Sequence, residues 1–240
     1  KYVGVLDLEM EAASGRVLKY SPDNLKTVIA GPDSPADKKI EGIVQKYSDR
    51  IKQEFSRVVG RTKTDLLRRP DAESNLGNLI CDAMRREAGA QIAFYNSGGI
   101  RANIFKGKVR LEQAYEALPF DDDLVSMDLT GARIREILEH SAAREYGIIQ
   151  ISGMKVKVNP ANPKGSRVVE AMVNGGKSDP DRTYRVATNE FLAAGGDRYV
   201  SFKQGKNIVH GDDVRDVFIR YLEKNSPVSL RVEGRISIVK

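Results

Sequence analysis

The sequence predicts an α+β fold, a mixed sheet with flanking helices, preceded by a β-hairpin and a long helix. Two observations carry this. Strand-like and helix-like runs mix along the 240 residues without a strict β–α–β rhythm, which argues against a doubly wound sheet. From Ile148 to Val186 the pattern turns to short strands, with turns at Asn162-Pro163 and Gly175-Gly176. A chain of this length holds one large domain, or one domain with an appended arm.

The elements follow in order. Leu6, Leu8 and Met10 alternate with Asp7 and Glu9, the pattern of a half-buried strand. A Ser14-Gly15 turn leads to Val17-Leu18-Lys19-Tyr20 and completes a hairpin. A loop with Pro22, Gly31 and Pro32 follows. Ser34-Pro35 then reads as an N-cap with proline at the first helical position. Ile40, Ile43, Val44, Tyr47 and Ile51 recur at helical spacing, so one amphipathic helix is expected to run to about Phe55. Residues 1 to about 56 therefore read as the edge of one domain plus a linker. The chain opens on Lys1-Tyr2-Val3 already in strand-like sequence, as expected of a segment cut from a longer polypeptide.

The main domain is expected to start near Val58-Val59-Gly60. Asn75 is a candidate cap for a helix with Leu76, Leu79, Ile80, Ala83 and Met84 on one face, ending at Gly89. Ile92-Ala93-Phe94-Tyr95 is a buried strand. Val109 to Leu111 is another, followed by a short helix from Gln113 to Leu118. Leu124 to Leu129 is a strand, and Thr130 caps the next helix. Lys155, Lys157 and Asn159 alternate with Val156 and Val158. Val214, Val217, Phe218, Tyr221 and Leu222 mark a late helix, and Arg235 to Val239 a terminal strand.

Composition excludes several classes. No apolar run is long enough to span a bilayer, so no membrane span is expected. The 39 basic and 33 acidic residues give a net charge of +6, which suits an anionic ligand. The charges are interspersed, whereas a binder of nucleic acid polymers would cluster them on one face. Cys81 stands alone, so there is no internal disulfide or multi-cysteine zinc site; in its apolar helix it reads as a buried, inert thiol. The histidines are His140, late in a helix where it favours the helix dipole, and His210, before Gly211-Asp212 at a helix entry. Neither has a partner at metal-ligand spacing, so no catalytic residue and no metal ligand is assigned.

Four segments carry candidate chemistry. Asn75-Leu76-Gly77-Asn78 opens a helix whose free N–H groups suit an anion. Asn96-Ser97-Gly98-Gly99-Ile100-Arg101 places an amide, a glycine pair and a permanently charged fork directly after a strand. Leu118-Pro119-Phe120-Asp121 holds an aromatic at a proline corner. Asn189-Glu190-Phe191-Leu192-Ala193-Ala194-Gly195-Gly196-Asp197 holds a second aromatic six residues before an acid. Two aromatics on separate loops can clamp a flat ring, a carboxylate can accept from both ribose hydroxyls, and an arginine suits a phosphate. Each feature also has a plain reading: Phe120 and Phe191 as core residues, and either glycine pair as a structural turn.

In this order the four segments resemble the C-terminal domain of the 5′-nucleotidase family, over about Val58 to Lys240. The run Asn75-Leu76-Gly77-Asn78-Leu79-Ile80-Cys81-Asp82-Ala83-Met84 is close to the family's, and the Gly-Gly-Ile-Arg and Phe-Leu-x-x-Gly-Gly-Asp motifs are specific. The resemblance implies that Phe120 and Phe191 sandwich a nucleobase and that Asp197 holds the ribose. It implies that Asn96 meets the base edge, Arg101 the phosphate, and that Gly99 and Gly153 also line the substrate site. It further implies that residues 1–33 are the terminal hairpin of a missing N-terminal metallophosphoesterase domain, 34–57 a linker helix and 58–240 the substrate-binding domain. Two divalent ions of the zinc or manganese type belong to that missing domain, which carries the hydrolysis. The implied location is extracellular, periplasmic or cell-surface.

Two departures stand out. Where family members commonly carry an arginine three residues before Asn-Leu-Gly, this chain has Ala72, with Arg68 and Arg69 nearby and Pro70 altering the local path. Ser97 replaces a glycine. The expected parent hydrolyses nucleoside 5′-monophosphates. The alternatives are a 2′,3′-cyclic phosphodiesterase/3′-nucleotidase, a UDP-sugar hydrolase, or a stand-alone nucleoside-binding module.

Overall fold

The structure, a computed structural model, describes residues 2–20, 25–29, 31, 34 and 37–239. The chain divides into two compact units, Lys1–Lys52 and Gln53–Lys240. In the first, β1 (Tyr2–Val5) pairs antiparallel with β4 (Lys26–Ile29), and β2 (Leu8–Met10) with β3 (Val17–Tyr20). The expected hairpin forms, but its first strand begins at Leu8 rather than Leu6. Its residues are exposed rather than half-buried, because a two-stranded ladder offers no second layer to cover an apolar face.

The helix that follows, α1 (Lys38–Phe55), starts later than the Ser34-Pro35 signal suggests. Asp37 Oδ1 accepts from the backbone N–H of Lys39 at 2.8 Å and of Ile40 at 3.2 Å, which satisfies the helix's first free donors. Pro22, Pro32 and Pro35 lie outside the described residues. Along α1 the stripe of Ile40, Ile43, Val44, Tyr47 and Ile51 is exposed.

In the second unit a five-stranded sheet has the order β14-β8-β13-β6-β9. Its strands are β6 (Ile92–Tyr95), β8 (Asp123–Thr130), β9 (Gln150–Ser152), β13 (Thr183–Asn189) and β14 (Lys206–Asp213). β13 runs parallel to β6 and antiparallel to β8, so the sheet is mixed. Successive side chains of β6 point to opposite faces. Ala93 and Tyr95 join a core with α2 (Asn75–Glu87), α3 (Leu111–Ala117), α6 (Val214–Asn225) and the ribbon of β5 (Val58–Thr62) and β7 (Gly107–Arg110). Ile92 and Phe94 join the opposite core with α4 (Gly131–Ala142) and a smaller sheet. That sheet, β12-β11-β10-β15, consists of β10 (Met154–Val158), β11 (Val168–Val173), β12 (Gly176–Lys177) and β15 (Ile236–Ile238).

Burial on both faces is why Ile92–Tyr95 reads as an unbroken apolar run. Phe94 meets Phe202 edge to face with centroids 5.7 Å apart. Truncating either ring to alanine would cost about 3–5 kcal/mol.

Two local expectations are corrected. Ser74, not Asn75, caps α2: its Oγ accepts from the Gly77 N–H at 2.9 Å. Asn75 is the first helical residue and is spent on the preceding loop, accepting from Leu67 and donating to Asp65. His210 lies within β14 rather than at a helix entry, and Asp213 caps α6 instead. β14 escapes a pattern search because it is an edge strand, exposed along nearly its whole length.

Candidate functional site

Strand register brings the candidate loops to one end of the sheet. Because β13 pairs parallel with β6 at Val186↔Ile92 and Ala187↔Ala93, both strands finish at the same edge. β8 pairs antiparallel with β13, Leu124 opposite Asn189, and so starts there. The glycine turn leaves β6 at Asn96, the Phe120 corner enters β8, and β13 runs directly into α5 (Glu190–Ala193), which carries Phe191. The carboxyl ends of parallel strands are where open α/β sheets place ligands.

Asn189 ties these three loops together. It is fully buried, and its Nδ2 donates to Asn96 Oδ1 at 3.2 Å and to Asp122 Oδ2 at 3.1 Å. A carboxylate can only accept, so the orientation of the amide is fixed by chemistry. Beneath the loops, Asn189 Oδ1 and Thr188 Oγ1 are buried without a partner. Asn96 is itself 8% exposed, with its Nδ2 on the side of Gly98.

The Phe120 corner is held from α6. Arg215 lies over the Tyr115 ring at 4.1 Å, donates to the carbonyl of Leu118 at 3.2 Å and pairs with Asp121 at 2.7 Å. The carbonyl of Asp122 accepts from the N–H of Val214 at 2.9 Å. The backbone at Phe120 is thus fixed while its ring stays 49% exposed. Phe191 is 40% exposed and lies across Gly196, where any side chain would collide with the ring. Exposed aromatic rings on anchored backbones are available for stacking, so the core reading of both phenylalanines is not what the structure shows.

After Gly195, Asp197 (φ 49°, ψ 28°) and Arg198 (φ 61°) both adopt left-handed backbone. Such residues cost about 1–2 kcal/mol each and persist only where their surroundings impose them. The Gly-Gly-Asp segment thus forms a tight turn with left-handed backbone at Gly195, Asp197 and Arg198. Partial burial holds the Asp197 carboxyl above the usual carboxylate range, an effect opposed by His140.

Arg101 is exposed; its backbone N–H is tied to the carbonyl of Ala117 at 2.9 Å and its guanidinium reaches only the Gly98 carbonyl at 3.3 Å. It forms no ion pair among the described residues. Gly99 is buried against the Tyr95 ring. Ala72 turns its carbonyl to Gln150 Nε2 at 3.0 Å. The strand-like pairing of Leu66 with Ile104 runs Arg68 and Arg69 beside the segment after Arg101, with the Arg68 N–H on Asn103 Oδ1 at 2.9 Å. Ser97 Oγ, the departure in the glycine turn, donates to the Pro70 carbonyl at 3.0 Å and joins the two segments.

Two candidates fall elsewhere. Gly153 (φ 79°) follows β9, whose antiparallel register sets Ser152 opposite Ala93 and Gln150 opposite Tyr95. It therefore sits against Gln91, at the other end of β6 from Asn96, beside a groove of about 580 Å³ walled by Asp82, Arg85 and Arg235. The start of α2 is no open anion cradle: Leu76, Gly77 and Asn78 are buried, Gly77 lies against Gln150, and Asn78 Nδ2 is held by Glu73 at 2.7 Å. Cys81 is buried, and burial pushes its thiol well above the usual range. No group of His, Cys, Asp and Glu among the described residues could hold a metal ion. No described helix is long and apolar enough to cross a membrane.

Residues 58–204 match the family model described as 5′-nucleotidase, C-terminal domain. The chain belongs to that family. Among its relatives is the trifunctional nucleotide phosphoesterase protein YfkN of Bacillus subtilis, 40% identical over 185 residues, a match covering 70% of this chain and 12% of that one. A 5′-nucleotidase-related protein of Glossina morsitans morsitans is 30% identical over 270 residues, covering all of this chain and 48% of the relative. The crystal structure of a 5′-nucleotidase precursor from Thermus thermophilus superposes with a TM-score of 0.78 at 34% identity, across the whole chain and 50% of that structure. The chain thus spans about half the length of these relatives or less. As a 5′-nucleotidase C-terminal domain it has the expected mixed sheet and flanking helices.

Sequence motifs included Asn189 in a candidate segment without giving it a role, and did not single out Asp122, Arg215 or His140 for this end of the sheet. Their roles are tertiary: each acts through a partner on another element.

Proposed function

We propose that this chain is the nucleotide-recognition part of a metal-dependent 5′-nucleotidase, one that hydrolyses nucleoside 5′-monophosphates to nucleoside and phosphate. The observation that carries the reading is the Asn189 amide, which gathers the glycine turn, the Phe120 corner and the Phe191–Asp197 loop at one sheet end. In this reading Phe120 and Phe191 stack on the two faces of the base, with each contact worth about 1–3 kcal/mol. The Asp197 carboxylate accepts from the ribose hydroxyls. Asn96 offers its Nδ2 to the base edge, and Arg101 binds the phosphate from the end of the turn that Gly99 shapes. Arg68 or Arg69, on the segment beside Arg101, substitutes for the arginine absent at Ala72.

The hydrolytic step belongs to an N-terminal metallophosphoesterase domain with two divalent ions of the zinc or manganese type. We assign residues 1–33 to the terminal hairpin of that domain, 34–57 to a linker helix and 58–240 to the substrate-binding domain. In this reading the chain binds and orients substrate and carries no chemical step of its own. We assign the parent to the cell exterior, the periplasm or the cell surface. A second reading, a parent that accepts more than one phosphate form, is favoured by Ala72 and by the trifunctional name of the 40%-identical relative.

Calorimetric titration with adenosine and with its 5′-monophosphate tests the reading. Arg101→Ala should weaken the monophosphate about tenfold or more, as loss of a charge-assisted contact does, and leave adenosine nearly unchanged. Equal losses for both ligands would overturn the phosphate role.

A further inference from the structure

His140 stands in the last turn of α4, where a histidine ordinarily serves the helix dipole. Here its ring is turned to another element. Nε2 lies 2.8 Å from the backbone carbonyl of Asp197. A carbonyl only accepts, so Nε2 carries the proton and donates. The ring is fixed in that direction by an edge-on contact with Tyr199, centroids 4.5 Å apart, and by Tyr146 stacked at 6.0 Å. Tyr199 is buried in the core beside Phe202. The donor is therefore held from the protein interior and aimed at a stretch where two consecutive non-glycine residues, Asp197 and Arg198, adopt left-handed backbone. Such a conformation needs an external restraint, and this hydrogen bond supplies one at the first of the two residues.

We propose that His140 is a positioning residue for ribose recognition: by holding the Asp197 carbonyl it fixes the backbone from which the Asp197 carboxylate reaches a ribose diol. This rests on the reading of Asp197 given above. His140 touches no ligand. It sets the direction of the carboxylate, so its effect falls on ligands that carry both hydroxyls and spares those that lack them.

The test compares adenosine with 2′,3′-dideoxyadenosine, which has the base but no diol, by calorimetry on the 240-residue chain. The chain should prefer adenosine, and Asp197→Ala should abolish the preference. His140→Phe keeps a ring between Tyr146 and Tyr199 but removes the donor. It should cut adenosine affinity about fivefold to tenfold, the scale of one hydrogen bond, while dideoxyadenosine affinity shifts by less than about twofold. His140→Gln, which restores an N–H donor, should recover part of the preference. A preference abolished by Asp197→Ala but intact in His140→Phe overturns the positioning role and leaves the Asp197 reading standing. Equal losses for both ligands in His140→Phe overturn it as well. A preference that survives Asp197→Ala removes the Asp197 reading itself. If His140→Phe does not fold, His140→Leu carries the same expectations.

Discussion

Replacing Asn189 with aspartate removes almost no volume and inverts one polarity at the centre of the site. The wild-type Nδ2 donates to the amide oxygen of Asn96 at 3.2 Å and to the carboxylate of Asp122 at 3.1 Å, from a fully buried position. The first bond is worth about 1 kcal/mol and the second, to a charge, about 1.5–3 kcal/mol. The introduced carboxyl also faces Asp122, and two unit charges at that separation repel by roughly 5 kcal/mol at an effective dielectric of about 20. Proton uptake caps this repulsion, because a protonated carboxyl can donate to Asp122 in place of the lost amide. The folded-state pKa of the introduced group is therefore raised above its unfolded value. Its penalty is full above that raised value and relaxes as pH falls through it. The expected loss is about 3–5 kcal/mol at pH 8 and distinctly less at pH 5.5. Urea unfolding followed by tyrosine fluorescence reads it directly, since the chain has 9 tyrosines and no tryptophan. A loss below about 1 kcal/mol at both pH values would refute Asn189 as the tie between the loops.

Other outcomes follow from the same geometry. Phe120→Ala and Phe191→Ala should each weaken adenosine by about fivefold to a hundredfold or more, with a smaller loss of melting temperature than a core phenylalanine would give, because the two residues are only about half-buried; calorimetry beside a thermal melt checks both. Adenosine affinity should fall on acidification earlier than an ordinary aspartate would dictate, because burial raises the Asp197 carboxyl and only its ionised form accepts from both hydroxyls; a pH series of titrations measures this, and Asp197→Asn should flatten it. Gly153→Ala should destabilise the fold, since its left-handed backbone and the Gln91 carbonyl leave no room for a Cβ, yet leave the preference for adenosine over dideoxyadenosine intact in whatever fraction folds.

Much of this was legible in the residues. The unbroken run Ile92–Tyr95 announced a buried strand, and the glycine turn and the Phe120 corner were identifiable from their glycines and proline; Phe191, read as a loop residue, lies in the short helix α5. What hid were the elements whose role depends on a distant partner. β14 lacks an alternating pattern because it lies at an exposed edge. Asn75 looks like a cap, but Ser74 has the better reach and Asn75 bonds the preceding loop instead. The hairpin's alternation predicts a buried face, whereas among the described residues these strands are exposed, since a two-stranded ladder alone buries no face. Gly153 entered the site through resemblance alone, and the β6–β9 register puts it at the opposite strand end. His140 read as a dipole partner because its acceptor lies 57 residues away in sequence.

The central claim is that the loops gathered by Asn189 form the face that recognises a nucleotide. Amide chemical-shift mapping of the labelled chain during titration with adenosine 5′-monophosphate tests it most directly. Saturable shifts should concentrate at Asn96 to Arg101, Phe120 to Asp122 and Phe191 to Arg198, with Gly153 and the groove beside it silent. Shifts centred on Gly153 and Arg85, or on none of these segments at saturating ligand, would contradict the account.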